Sequence, residues 1–144
     1  MAVTVKRITL WRHETDNRVG LLANVLGPLA RAGTDLRVVM GYRYPGTETR
    51  AAIEVYPVSG KKAVAAAQEA GLTASSIPTL LVEGDNKPGL GHAIAQALAD
   101  AGMNLSFQVA QVLGRRVSVI YGFDSEADAR RATSLIKKAA TKQR

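Results

Sequence analysis

The chain states one pattern twice. Laying residues 8–36 over residues 77–105 without a gap brings Ile8, Glu14, Asp16, Asn17, Gly20, Leu21, Leu29, Ala30, Ala32, Gly33 and Leu36 each onto an identical residue. Arg18 meets Lys87, Val25 meets Ile94, and Asp35 meets Asn104. Each half therefore carries one structural unit, 1–74 and 75–144. The best-matched segment is a turn, Asp-Asn-basic-x-Gly-Leu, placed before a helical pattern. A duplicated turn opening a helix points to paired small-ligand sites rather than to one catalytic cleft.

The spacing of apolar residues gives the order of elements. Residues 5–12 are β-branched and aromatic and read as one strand, broken by the turn Asp16-Asn17-Arg18. From 19 to 32, Leu22, Val25, Leu26 and Leu29 recur at helical spacing, and Gly33 follows as a stop. Gly27-Pro28 falls inside that helix, and an interior proline costs ~3 kcal/mol, so a kink is expected there. Residues 36–44 and 49–56 are strand-like and joined by Pro45-Gly46-Thr47-Glu48, a hairpin connection. Residues 61–70 are alanine-rich and helical, closed by Gly71. The short polar stretch 72–76 is long enough for a last strand and too short for a flexible linker.

The second half repeats this order. Residues 77–83 read as a strand, 85–87 as a turn, and 88–101 as a helix with Leu90, Ile94 and Leu98 on one face, ended by Gly102. Residues 105–113 and 116–123 form a hairpin around Gly114-Arg115, and Ser125 caps a last helix over 126–140. Within the second turn, Pro88 stands where a first helical residue belongs, since its φ is already helical and it has no N–H to leave unpaired. Gly89 lets a ligand come close to the backbone. The free N–H groups of the helix start favour an anion. The Asp and Asn of each turn can accept hydrogen bonds from an ammonium group. Simple capping by those residues is the plainer explanation, but capping alone does not call for glycine three residues later.

With this order, and with Asp85-Asn86-Lys87-Pro88-Gly89-Leu90 before one helix and Ala101-Gly102-Met103-Asn104-Leu105 after it, the chain resembles two tandem ACT domains. The resemblance implies an α+β fold of two ferredoxin-like βαββαβ units, with antiparallel sheets and helices on one face. It also implies a regulatory module that binds an amino acid or related metabolite. Carried over residue by residue, it places the ligand at Asp16, Asn17, Gly20, Leu21 and Asp35 in the first copy, and at Asp85, Asn86, Gly89, Leu90 and Asn104 in the second. Val19 departs from the family's proline, and Gly91 from a larger apolar residue matched by Leu22. The second copy ends after its last helix without a fourth strand. Its open sheet edge would be covered by residues 2–5 or by a second chain, which makes a homodimer the expected state.

Other function classes fare less well. The chain has no cysteine, so disulfides and thiolate chemistry are excluded. His13 and His92 are the only histidines, and neither has an acid and a nucleophile at catalytic spacing. His13, close to the first loop in sequence, could reach a ligand carboxylate. No metal-ligand cluster or phosphate-binding motif is present, so no enzyme activity and no cofactor are expected. The formal charge of +7 is spread over both halves. Its one acid-free stretch, Arg130, Arg131, Lys137, Lys138, Lys142 and Arg144, is accounted for by cations near the end of a helix. An RNA-binding ferredoxin-like module is the alternative; it would need stacking aromatics among Tyr42, Tyr44, Tyr56, Phe107, Tyr121 and Phe123. A structural subunit that keeps only the sheet-pairing interface is another. With no leader or membrane span in the pattern, a cytoplasmic regulator acting through another protein is the expectation.

Overall fold

The computed structural model describes residues 3–142. The elements run β1 (Val3–Ile8), β2 (Trp11–Asp16), α1 (Leu21–Arg31), β3 (Val38–Tyr44), β4 (Thr47–Tyr56), α2 (Lys61–Glu69) and β5 (Thr73–Ala74). They continue with β6 (Thr79–Asp85), α3 (Leu90–Asp100), β7 (Leu105–Leu113), β8 (Arg116–Phe123) and α4 (Glu126–Lys142). The chain forms two compact units: Thr9–Ser76, called here the first unit, and the residues up to Ile8 together with those from Ile77 onward, the second.

Each unit is an α+β, ferredoxin-like body: one antiparallel four-stranded sheet with two helices packed on one face. The first sheet has the order β3-β4-β2-β5 and the second β1-β6-β8-β7. In the first unit Leu21, Val25 and Leu29 of α1 and Ala66 and Ala67 of α2 pack on Ala51, Ile53 and Val55 of β4. The odd-numbered residues of β4 thus face the helices, as the two-residue strand period requires. In the second unit Leu90, Ile94 and Leu98 of α3 and Ala129, Ala132 and Ile136 of α4 meet Leu80, Val82, Val119 and Tyr121 of the sheet.

The N-terminal segment departs from its sequence reading. Residues 5–12 are not one strand; Thr9-Leu10 separates β1 from β2, and the two join different sheets. β2 is an inner strand of the first unit. β1 pairs antiparallel with β6, from Val3 opposite Gly84 to Ile8 opposite Thr79. It therefore takes the edge position that β5 holds beside β2 in the first unit. A boundary at 74/75 follows the repeat, but the strand at the start of the chain belongs with the second unit. Of the expected edge segment 2–5, Ala2 lies outside the described residues. Since β1 covers the side of β6 that was to be left open, the reason for expecting a dimer through that edge is gone.

Local signals explain the remaining boundaries. Helix α1 runs as one element from Leu21 to Arg31 with Pro28 inside it. The amide of Asp128 donates to Ser125 Oγ at 3.1 Å, so Ser125 caps α4, which continues to Lys142. Arg144, the last of the basic C-terminal residues, lies outside the described ones.

Candidate functional site

The duplicated turn has the same backbone in both units. The amide of Leu21 donates to Arg18 O at 3.2 Å, and that of Leu90 to Lys87 O at 3.1 Å. Gly20 has φ 85 and ψ 1, and Gly89 has φ 84 and ψ −4. A glycine in that conformation at the third of four residues is the mark of a type II turn, whose second position favours proline. Pro88 therefore sits within the turn, before α3 begins at Leu90, and is not the first helical residue. The two glycines are set by their left-handed backbone, which side-chain-bearing residues adopt at a cost of about 1–2 kcal/mol. Substituting Gly89 would consequently strain the turn itself.

The paired aspartates also have a common partner. Asp16 ends β2 and Asp85 ends β6, and each sits opposite an arginine of the next strand. Arg50 meets Asp16 at 2.9 Å and Arg116 meets Asp85 at 2.9 Å. The amide of Asn17 donates to Thr49 O at 2.8 Å, and that of Asn86 to Arg115 O at 2.8 Å. These contacts pin each loop to its own hairpin. The overlay at 69 residues misses the arginine match, because an irregularity between Arg43 and Tyr44 shifts the first hairpin's register.

At the first loop the turn borders a groove of about 410 Å³. Asn17, Arg18 and Gly20 of the loop, Leu21 and Leu22 of α1, Gly41, Tyr42 and Arg43 of the edge strand β3, and Ala51 and Ile53 of β4 line it. Gly41 keeps it open: a Cβ there would stand 3.2 Å from Ile53 Cδ1 and 4.0 Å from Leu22 Cδ1. The register places Ala110 opposite Val119 where Gly41 faces Ile53. In the second unit Gly91 replaces the Leu22 wall, Lys87 stands for Arg18, and Val112 for Arg43. Of the residues expected at the ligand, Asn17, Gly20 and Leu21 line the groove, and Leu22, Gly41, Tyr42, Arg43 and Ile53 join them unannounced.

Asp35 and Asn104 are elsewhere within their own units. Each is exposed and precedes the edge strand, at the end of the sheet away from the loop. Leu105 pairs with Phe123, beside the start of β6, whereas Asp85 is its last residue. Along β6 that separation is roughly 20 Å at ~3.3 Å per residue, too far for one small zwitterion within a single unit. Asn86 and Gly89 are exposed at the second loop, and Leu90 is buried in the core at 4% exposure. His13 turns away from the loop; a Cβ added to Gly71 would stand 2.8 Å from its ring, so Gly71 admits the imidazole.

On the sheet face of the first unit opposite the helices lies a polar cluster. Glu54 is buried at 2% exposure and accepts a hydrogen bond from the Tyr42 hydroxyl at 2.8 Å. Arg12 bonds to Tyr44 and to Glu14, the latter at 3.3 Å, and stands 4.0 Å from Glu54. Burial and the Glu54 hydrogen bond push the Tyr42 phenol up to about 12. Hydrogen bonds with Tyr44 and Arg12 hold the Glu14 carboxyl below its usual value. The cluster thus holds the Tyr42 side chain on the face of the sheet opposite the one that Gly41 and Ile53 present to α1.

Among the described residues no group of three His, Asp or Glu side chains could hold a metal ion, and no helix is long and apolar enough to cross a membrane. Two of the six candidate aromatics for an RNA-binding reading, Tyr121 and Phe123, are buried in the core at 2% and 1% exposure and offer no stacking surface.

No family model matches the chain, and no curated protein matches it. Solved structures do. The regulatory subunit of aspartate kinase from Thermus thermophilus, in ligand-free form, is 18% identical over 96% of this chain and 97% of that one, with a TM-score of 0.63. The same subunit from Thermus flavus is 19% identical over the same shares, with a TM-score of 0.59. A protein from Bacteroides thetaiotaomicron reaches a TM-score of 0.72 at 13% identity, over 90% of this chain and 88% of that one. The likeness is one of fold. It extends over nearly the whole chain, both units included, and it is shared with named regulatory subunits.

Proposed function

We propose that the protein is a non-catalytic regulatory module that senses a small metabolite, an amino acid or a close relative, and passes the signal to a protein partner. The groove at the first loop carries this reading: it is concave, apolar at its base and bordered by polar loop groups, as small-ligand sites are. The tandem ferredoxin-like fold supports it, being that of subunits whose role is regulatory. The cytoplasm is the compartment that fits such a partner. A dimer is not part of the proposal, because β1 covers the edge on which that expectation rested.

A thermal-shift screen against amino acids and related metabolites tests it. A ligand that binds only the folded chain at a hundredfold excess over its dissociation constant adds about 2.7 kcal/mol of stability. Amide shifts on binding are expected at Asn17, Arg18, Leu22 and Arg43. A ligand that shifts only residues remote from this groove would refute the placement, and a screen without any hit would refute the sensing role.

A further inference from the structure

We propose that the first-unit groove recognises a small carboxylate with an apolar chain and does not read an α-ammonium group, so that it takes 2-oxo acids as readily as the matching amino acids. This rests on the groove being the sensing site proposed above, and it assigns the ligand's chemistry. Arg18 and Arg43 both line the groove. Among the described residues neither has an ion-pair partner, whereas Arg7, Arg12, Arg31, Arg50 and Arg116 all do. Two uncommitted guanidinium groups at one cavity favour an anion, and a carboxylate matches their planar fork.

No acidic side chain lines the groove. Of the acids on β2 beside the loop, Asp16 pairs with Arg50 and Glu14 with Arg12, while Glu54 of β4 lies on the opposite face of the sheet, against the Tyr42 hydroxyl. An ammonium group placed there would meet two like charges and no carboxylate. Asn17, also in the lining, is neutral and brings no charge to an ammonium group, and Leu21, Leu22, Ala51 and Ile53 give the groove a hydrocarbon base. Gly41 supplies the depth, and any side chain at that position would push against Ile53. A charged head held by the arginines and a branched or aromatic chain over Gly41 is the ligand this arrangement complements.

Calorimetric titration of the full chain decides it, with three probes for each of two side chains. For leucine these are 4-methyl-2-oxopentanoate, L-leucine and L-leucinamide; for phenylalanine they are phenylpyruvate, L-phenylalanine and L-phenylalaninamide. The expected result is that at least one oxo acid binds no more weakly than its amino acid, and that the amides bind at least about tenfold more weakly, the loss of one charge-assisted contact. Arg43→Gln and Arg18→Gln, both at exposed positions, should each weaken the oxo acid by about tenfold. Gly41→Val should abolish its binding, with the melting temperature reporting whether the fold is kept.

Amino acids that bind while neither oxo acid does would overturn the inference and leave the sensing function standing. Amides that match the oxo acids, or arginine variants of unchanged affinity, would do the same. If neither these probes nor any of the common amino acids binds, both proposals fall.

Discussion

The two loops share a backbone and differ in what stands around it. Turn, left-handed glycine, strand-ending aspartate and opposing arginine are the same at Asp16–Arg50 and at Asp85–Arg116. The neighbours are exchanged: Leu22 and Gly41 in the first unit answer to Gly91 and Ala110 in the second, and Arg43 to Val112. Where the repeats agree, the residues build the turn. Where they disagree, the first unit has a walled groove whose two arginines have no ion-pair partner among the described residues. Identity between repeats therefore marked architecture, and the candidate site lies largely in the positions that diverged.

Core truncation probes the shared part hardest. Leu29 and Leu98 occupy equivalent places and are exposed by 0% and 1%. Leu29→Ala and Leu98→Ala should each cost about 2–5 kcal/mol. Amide hydrogen exchange should report the loss chiefly in the unit that carries the change, with β1 following Leu98→Ala because it is paired to β6. Equal loss in both units after either substitution would break the division into two bodies.

The turn itself comes next. Gly20→Ala and Gly89→Ala should each destabilise by about 1–2 kcal/mol, since both glycines have the same left-handed backbone. Denaturant midpoints check this, and a cost at one position alone would show that the turns are not equivalent. Removing the ion pairs should matter less. Arg50→Gln and Arg116→Gln are expected to change stability by no more than about 1 kcal/mol, because both pairs are substantially exposed. The effect should shrink in high salt, and a larger, salt-insensitive loss would mean that the aspartates hold more than a hairpin.

The smallest effect separates the units by chemistry. Tyr42 in the first and Tyr121 in the second both have phenols raised to about 12, Tyr121 by burial alone and Tyr42 by burial together with Glu54. Raised folded values mean that the unfolded chain ionises first. Stability from these groups is present below about pH 10 and declines as pH rises towards about 12. Glu54→Gln should lower the Tyr42 titration and leave that of Tyr121 in place, read from phenolate absorbance. A parallel shift of both would sink the local explanation.

Much of the fold was legible because its signals are local. The hairpin 105–113 and 116–123 matches β7 and β8, since a period-two apolar pattern interrupted by Gly114-Arg115 leaves little choice of turn. Ser125 was readable as a cap for the same reason. Less of the site could be read. Asn17, Gly20 and Leu21, which border the candidate groove, were singled out by the repeat, but Gly41, Tyr42 and Arg43 sit on a strand whose residues differ between copies, so no overlay pointed to them. Asp35 and Asn104 were drawn to the loops by resemblance, while within each unit the length of the helix carries them to the other end of the sheet.

What the sequence determined by itself is the duplicated unit, the order of its elements and the turn that needs glycine, because each follows from spacing within a few residues. Only the tertiary structure decided that the first strand leaves its neighbour β2 and closes the sheet of the second unit. Nothing in the apolar residues Val3, Val5 and Ile8 names the partner strand. Pairing is settled by which free edge offers backbone groups and buried neighbours, and for β1 that edge is β6, far along the chain. The groove was decided in the same way, by a glycine on β3 meeting a leucine of α1 and an isoleucine of β4 that the chain brings together only when it folds.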